Sequence, residues 1–503
     1  VETSNNKEYD LLETIRVRKL SHSELHVECD FGQAQELNEF FSFYVPGYKF
    51  MPAFRNKLWD GKIRLYNIRA NTLPAGLIDH LEQFVVQRGY TIDTERTEYG
   101  YPDNAANNAK VDPKEIMDFI HSIGLPFPIR DYQFDAVCKG LEKKRAILLS
   151  PTGSGKSLII YTLVRYFLSQ IAEEHQKVLI VVPTTSLVEQ MTNDFKDYGY
   201  QIENVHKIYS GKDKDTECPI IISTWQSIYK LSGAWFEQFG MVVGDECHGF
   251  KSKSLTSIMN KCTEAAYRFG TTGTLDGTQT HELVLQGLFG RVHKVTTTRT
   301  LQDNDTLAKL EIKRLVLEYN EDFGKRSYQD EIDYIVRHEK RNQFIRNLAL
   351  DQKGNTLVLF QFVEKHGKIL FDLIENKAHE DRKIFFVSGA TETSDREAIR
   401  KITEKQKDAI IVASLGTFST GINIRNLHNI VFASPSKSQI RVLQSIGRGL
   451  RKSDDGRITQ LYDITDDLSN GTTQQNFALL HSYERLKMYK SENFIYKTYK
   501  VGI

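Results

Sequence analysis

With 503 residues and 66 Lys and Arg against 65 Asp and Glu, the chain is long enough for about three domains and lacks the global charge of a basic nucleic-acid-coating protein. Hydrophobic residues at 40% and charged residues at 26% are ordinary for a soluble globular chain, so any nucleic-acid surface must be local. Five scattered cysteines without a C-x-x-C pair argue against a zinc site or a disulfide framework, and no apolar run approaches the ~20 residues of a membrane span; no membrane partner and a reducing, cytoplasmic setting are expected.

Early in the chain, residues 40–67 read FFSFYVPGYKFMPAFRNKLWDGKIRLYN. Asp60-Gly61 predicts a hairpin turn. After it Lys62 and Arg64 alternate with Ile63 and Leu65, which puts both cations on one face of a strand. Between Val45 and Ala70 the cations are Lys49, Arg55, Lys57, Lys62, Arg64 and Arg69, against Asp60 alone, with Tyr48, Trp59 and Tyr66 interleaved. Such a surplus suits phosphate contacts, with Lys57, Trp59, Lys62 and Arg64 as candidates. An ordinary solvated sheet face around a core tryptophan is the competing reading. Residues 94–113, TERTEYGYPDNAANNAKVDP, are polar and end in proline, which predicts an interdomain linker.

Beyond the linker, the apolar runs AILL, KVLIVV, PIII and GMVV alternate with longer amphipathic stretches. A second series, NTLVLF, KIFFV, AIIVA, NIVFA and TQLYDI, begins near residue 355. Both series predict buried parallel strands with crossover helices, and hence two successive α/β domains. Between them, residues 328–351 read as one long charged helix serving as a connector.

The chemistry concentrates in ILLSPTGSGKSLI, residues 147–159. It follows G-x-x-x-x-G-K-[ST] except that Ser150 replaces the first glycine. A strand, a turn and a helix in that order aim backbone N–H groups at an anion. Thr152, Gly153, Ser154 and Gly155 form the turn, Lys156 reaches the β- and γ-phosphates, and the Ser157 hydroxyl faces Mg²⁺. GMVVGDECHGF supplies Asp245 to hold the metal and Glu246 to orient or deprotonate water. An acidic pair at a strand end would also serve as a helix N-cap.

Together, S-P-T-G-S-G-K-S and D-E-C-H, which ends at His248, resemble motifs I and II of superfamily 2 helicases, where the first-glycine position commonly holds Ala or Ser. Further segments follow in that family's order. IRDYQFDAV resembles the adenine-reading Q motif, which implies Gln133 on the base with help from Arg130. VVPTTSLVEQM and ISTWQSI resemble motifs Ia and Ib, whose hydroxyls at Thr184, Ser186, Ser223 and Thr224 can bond phosphate oxygens without reading bases. FGTTGTLDG resembles motif III, with Thr272-Gly273-Thr274 in place of Ser-Ala-Thr. LVLFQFVEKHG resembles motif IV, and ASLGTFSTGINI resembles motif V, which implies strand contacts at Thr417 and Thr420. QSIGRGLRK matches Q-x-x-G-R-x-x-R at Gln444, Gly447, Arg448 and Arg451. Arginines at i and i+3 share a helix face, and an arginine finger on the transferring phosphate is worth about 10³–10⁵ in rate.

The N-terminal pattern FFSF…WDG.IRL, with LP.GL, WF.QFGM, FSTGI and NLH further on, narrows the resemblance to the UvsW-type recombination and fork-remodelling helicases of T-even phages. That resemblance implies an α/β fold of two tandem RecA-like parallel-sheet domains behind a small α+β N-terminal domain. The expected boundaries are 1–98, a linker and entry helix at 99–124, then 125–305 and 306–503. It implies ATP and Mg²⁺ as cofactors, and Lys156, Asp245, Glu246, His248, Gln444, Arg448 and Arg451 as catalytic residues. The implied activity is 3′-to-5′ on branched, duplex and single-stranded DNA and on RNA–DNA hybrids. A monomer in the host-cell cytoplasm is implied, with single-strand-binding or small recombination proteins as accessory partners. The alternatives are an RNA or hybrid helicase and a restriction-type translocase subunit.

Overall fold

The computed structural model describes residues 14–104, 110–151, 153–209, 211–275, 278–304, 309–320, 327–417, 426–434, 458–469, 475–491 and 494–503. Thr152, Thr420, Gln444, Gly447, Arg448 and Arg451 lie outside them. Leaving aside residues 151–154, the chain divides into two compact units between Val295 and Thr296.

The first unit begins with β1 (Thr14–Lys19) and β2 (Glu24–Glu28), whose alternating Ile15, Val17, Leu25 and Val27 are buried. Period-2 alternation puts these four on one face, where α1 (Phe31–Phe40) and α2 (Ile78–Arg88) can cover them. A reciprocal capping box of Asp30 and Gln33 starts α1. The strands β3 (Ser42–Tyr44) and β4 (Lys62–Arg64) pair with each other, while β5 (Thr72–Pro74) and β6 (Thr91–Glu95) complete the sheet β5-β2-β1-β6.

The same unit continues with α3 (Asp131–Lys143), β7 (Arg145–Leu149), α4 (Lys156–Tyr166), β8 (Lys177–Val182) and α5 (Thr185–Asp197). Next come β9 (Val205–Ile208), β10 (Ile220–Thr224), β11 (Phe239–Asp245), β12 (Tyr267–Thr272), α6 (Gln279–Phe289) and β13 (Val292–Lys294). Their sheet runs β13-β7-β12-β11-β8-β10-β9 and every pairing is parallel. The central strand β12 escapes a search for apolar runs because its sequence, YRFGTT, carries Arg268. That side chain is buried, and its guanidinium donates to the carbonyls of Leu288, Cys262 and Met259, which is how a buried cation stays satisfied.

The segment expected as a linker is partly built into the fold. Asp103 pairs with Lys19 at 2.7 Å and with Arg145 at 3.1 Å, and Arg145 also donates to the His22 carbonyl at 2.7 Å. Burial raises the Asp103 pKa, but Arg145 and then Lys19 outweigh it and hold the carboxyl below its usual value. On the opposite side of the contact, Leu283 of α6 enters the N-terminal core and His80 Nε2 lies 2.7 Å from Gln286 Oε1. The N-terminal region is thereby docked on the nucleotide-domain sheet by both apolar and ionic contacts.

In the second unit, β14 (Leu310–Glu318), β15 (Thr356–Phe360), β16 (Ile384–Val387), β17 (Ile410–Ser414), β18 (Asn429–Phe432), β19 (Thr459–Asp467) and β20 (Ile495–Gly502) form a second parallel sheet. Its order is β16-β17-β15-β18-β19-β14-β20. The expected long connector is instead two helices, α7 (Tyr328–Arg337) and α8 (Glu339–Asp351), broken at His338. Arg341 of α8 is fully buried, donating to Asp466 at 2.6 and 3.0 Å and to the Ala433 carbonyl at 2.7 Å. One face of α8 is core and carries the buried Arg341, while Glu339, Lys340 and Asp351 stay exposed.

Gly76 tests the docking. A Cβ there would lie 2.0 Å from the Gln286 carbonyl oxygen, so Gly76→Ala should cost ~1–3 kcal/mol by overpacking. Calorimetry should show a melting temperature lowered by a few degrees, and hydrogen exchange should quicken on both sides of the contact. An unchanged melting temperature would mean that the two surfaces are not locked together.

Candidate nucleotide and nucleic-acid site

Ser150 is fully buried at the end of β7, and its N–H donates to the Thr272 carbonyl at 2.9 Å. The position is part of the packed sheet edge. Gly153 and Gly155 both take left-handed backbone, with φ of 83° and 81°. The positive φ favours glycine at 155, and a Cβ there would lie 2.3 Å from Gln133 Nε2 and displace that amide. That closeness brings the Q-motif glutamine beside the loop. Gln133 is buried and its Oε1 accepts from the Arg130 N–H at 3.0 Å, while the Arg130 guanidinium donates to the Tyr132 hydroxyl at 2.9 Å.

Lys156 opens α4 and its Nζ lies 3.4 Å from Glu246 Oε1. Asp245 ends β11 and is registered against Thr271 of β12, whose hydroxyl donates to Asp245 Oδ1 at 2.6 Å. Glu246 has φ 51° and ψ 48°, left-handed backbone that costs a non-glycine residue ~1–3 kcal/mol. It occupies the N-cap position of a short 3₁₀ turn (Cys247–Lys251) but makes no side-chain cap. The capping explanation of the acidic pair therefore fails for Glu246. His248 Nδ1 lies 3.0 Å from Thr272 Oγ1 and 3.5 Å from Glu246 Oε2.

Burial disfavours the Lys156 ammonium, yet Glu246 and then Asp245 outweigh it and leave its pKa raised. For Asp245, burial and then the neighbouring Glu246 push the carboxyl pKa up, against Lys156 and the Thr271 hydrogen bond. The Ser157 hydroxyl shares a 2.8 Å hydrogen bond with the Tyr198 hydroxyl. As a donor set, the Ser157 hydroxyl and Asp245 carboxylate are hard oxygens. They fit a Mg²⁺ ion, which takes few protein ligands and keeps its waters or phosphate oxygens.

The expected strand contacts separate by burial. Thr184 is the N-cap of α5, its hydroxyl accepting from Leu187 N–H at 3.4 Å, and Ser186 in the first turn is likewise only half-buried. Ser223 is buried and donates to the carbonyls of Ile208 and Thr224. Thr224 is buried against Ser227, and Thr417 accepts from the Ser414 hydroxyl at 2.7 Å. These three hydroxyls are committed inside the fold, so Thr184 and Ser186 remain the accessible pair.

The N-terminal face also differs from its expectation. Tyr44 is registered against Lys62, so residues 45–61 form an excursion between β3 and β4 instead of a two-residue hairpin loop. Arg64 is ion-paired with Asp60, its Nη1 donating to Oδ1 at 3.2 Å. Lys62 Nζ sits 5.0 Å from the Tyr44 ring centroid, and Trp59 Nε1 donates to the Lys62 carbonyl at 2.9 Å. Tyr66 is core, 2% exposed and bonded to Asn71. Of the four candidates, Lys57 keeps an exposed cation and Arg64 spends its own on Asp60.

Known proteins share this arrangement. Residues 14–95 match the family described as "DNA helicase UvsW, N-terminal", residues 126–277 "Type III restriction enzyme, res subunit", and residues 339–453 "Helicase conserved C-terminal domain". The chain is 37% identical to the ATP-dependent DNA helicase uvsW of Enterobacteria phage T4, over 96% of this chain and 98% of that one. It belongs to the UvsW family of superfamily 2 helicases. The crystal structure of T4 UvsW superposes with a TM-score of 0.50 at 34% identity, covering 97% of this chain and 99% of that one. A putative HsdR-subunit fragment from Vibrio vulnificus, 16% identical with a TM-score of 0.57 over 88% of each chain, shares the fold. As a member of the UvsW family the chain is an ATP-dependent DNA helicase.

Two side chains at the UvsW-family nucleotide site were not singled out from sequence. Thr271 immediately precedes the expected motif III triplet, and only the parallel register against Asp245 reveals its contact. Tyr198, the C-cap of α5, lies far from the loop in sequence. Thr271→Val keeps the shape and removes the donor to Asp245. A hydrogen bond to a charged group is worth ~1.5–3 kcal/mol, so DNA-stimulated kcat should fall at least tenfold with the KM for ATP little changed. Steady-state turnover checks this, and an unchanged kcat would remove Thr271 from the site.

Proposed function

We propose that the chain is a 3′-to-5′ DNA translocase that remodels branched DNA by migrating Holliday junctions, regressing forks and stripping RNA from R-loops. The observation that carries this reading is the convergence of Lys156, Asp245 and Glu246 at one sheet edge, in the unit whose docked N-terminal region also carries a cationic, aromatic cleft. A relative from Sulfurisphaera tokodaii described as a DNA 3′-5′ translocase, 24% identical over 66% of this chain and 82% of that one, supports the polarity. The proposed division is 1–98, 99–124, 125–305 and 306–503.

In this reading Lys156 binds the terminal phosphates and Arg130 with Gln133 holds the adenine. Ser157 and Asp245 hold Mg²⁺, which would neutralise phosphate charge. Glu246 accepts a proton from the attacking water, with His248 relaying nucleotide state toward Thr272. Arg448 and Arg451, together with Gln444, act in stabilising the charge that develops on the transferring phosphate. Thr184 and Ser186 bond strand phosphates. Action as a monomer on duplex, single-stranded and hybrid substrates, alongside single-strand-binding proteins in the host cytoplasm, completes the proposal.

The test compares a four-way DNA junction, a replication-fork analogue, an RNA–DNA hybrid and an RNA duplex as unwinding substrates, with tails of either polarity. The reading expects ATP-dependent unwinding of the junction, fork and hybrid, a requirement for a 3′ tail on linear substrates, and no activity in Lys156→Ala. Preferential unwinding of duplex RNA, or activity surviving Lys156→Ala, would contradict it.

A further inference from the structure

Residues 45–61, between β3 and β4, form an open cleft of about 600 Å³ lined by Lys49, Phe54, Arg55, Lys57, Leu58, Trp59 and Asp60. Its volume falls within the usual range for small-molecule sites. Tyr44 and Tyr48 stack with centroids 4.6 Å apart, and Phe54 meets Tyr48 edge-on at 4.7 Å. Gly61 lets the stack close, because a Cβ there would lie 2.2 Å from the Tyr48 ring. The hydrogen bond from Trp59 Nε1 to the Lys62 carbonyl fixes the indole. Trp59 and Phe54 are thus held in place before any ligand arrives.

Leu58, at the cleft, is 80% exposed, and Phe50 on the same excursion is 78% exposed. Lys57 holds φ 55°, left-handed backbone that a lysine adopts at a cost. Asp60 is taken by Arg64, and among the described residues no carboxylate is ion-paired with Lys49, Arg55 or Lys57. Three cations around an apolar and aromatic floor complement a polyanion that also presents a flat apolar face.

We propose that this cleft captures one unstacked nucleotide of a DNA strand, its base against Trp59, Leu58 and Phe54 and its flanking phosphates on Lys49, Arg55 and Lys57. The proposal rests on the reading of the N-terminal face as a DNA contact, and names its ligand. Paired bases inside a duplex keep their faces stacked and could use only the cations. An unpaired base offers a π-face to the aromatic floor whatever its identity. The cleft therefore selects the unpaired nucleotide at a branch, and does so without sequence preference.

The experiment measures binding of the full chain to oligothymidylate and to an abasic oligomer with the same number of phosphates. The unaltered chain should favour oligothymidylate, and Trp59→Ala should reduce that preference about tenfold, ~1.4 kcal/mol. Leu58→Asp, at a position already in solvent, should reduce it similarly with the melting temperature unchanged, which guards against a folding defect in the tryptophan variant. Arg55→Ala should weaken both oligomers alike and flatten the salt dependence. A preference for bases that is the same in all variants would overturn the proposal, as would equal weakening of both oligomers by Leu58→Asp. DNA-stimulated ATP turnover of the unaltered chain reads the motor function separately, so its absence would sink the proposed function while the binding comparison still decides the cleft.

Discussion

Two carboxylates, Asp245 and Glu246, stand next to each other at the end of a buried strand with one ammonium, Lys156, as their cation. Charges this poorly hydrated are tolerated only when paired or bonded. Thr271 bonds one carboxylate from the adjacent strand, and Lys156 reaches the other from the start of α4. The parallel register of β7, β12 and β11 makes both contacts possible, so the order of strands in the sheet is a precondition of the chemistry. Left without its lysine, the pair would face like-charge repulsion that the partial exposure of Glu246 relieves only in part.

The same solution to buried charge recurs away from the site. Arg341 is held by Asp466, Arg485 by Asp463 and Arg145 by Asp103, each pair buried and supplemented by further hydrogen bonds. Breaking one partner of such a pair costs ~3–5 kcal/mol, although an apolar replacement of both can be neutral. Their effect is specificity of arrangement: Arg341 fixes α8 against the ends of β18 and β19, and Arg145 fixes the N-terminal region to the first strand of the nucleotide-domain sheet.

Legibility in the sequence followed the physics of each element. Strands β7, β8, β10, β11 and β15 to β19 announce themselves as apolar runs, since both faces of a parallel sheet are covered. Strand β12 carries a buried arginine, and β14 and β20 mix apolar with charged residues, so no run marks them. The phosphate loop and the acidic pair were readable because their chemistry fixes local spacing. Thr271 and Tyr198 were not, because their contacts are created by register and helix packing between distant segments. The N-terminal cations were counted correctly by type, but composition cannot say which one an aspartate has claimed; Asp60 holds Arg64 and leaves Lys57 exposed.

The central claim is that Glu246, left-handed in backbone and paired to Lys156, acts on the attacking water and not on nucleotide binding. The most direct measurement is equilibrium ATP binding beside single-turnover hydrolysis in Glu246→Gln. The account predicts ATP affinity within a few-fold of the unaltered chain and hydrolysis reduced by at least ~10². Near-normal hydrolysis, or a loss of ATP binding that accounts for the whole defect, would contradict it.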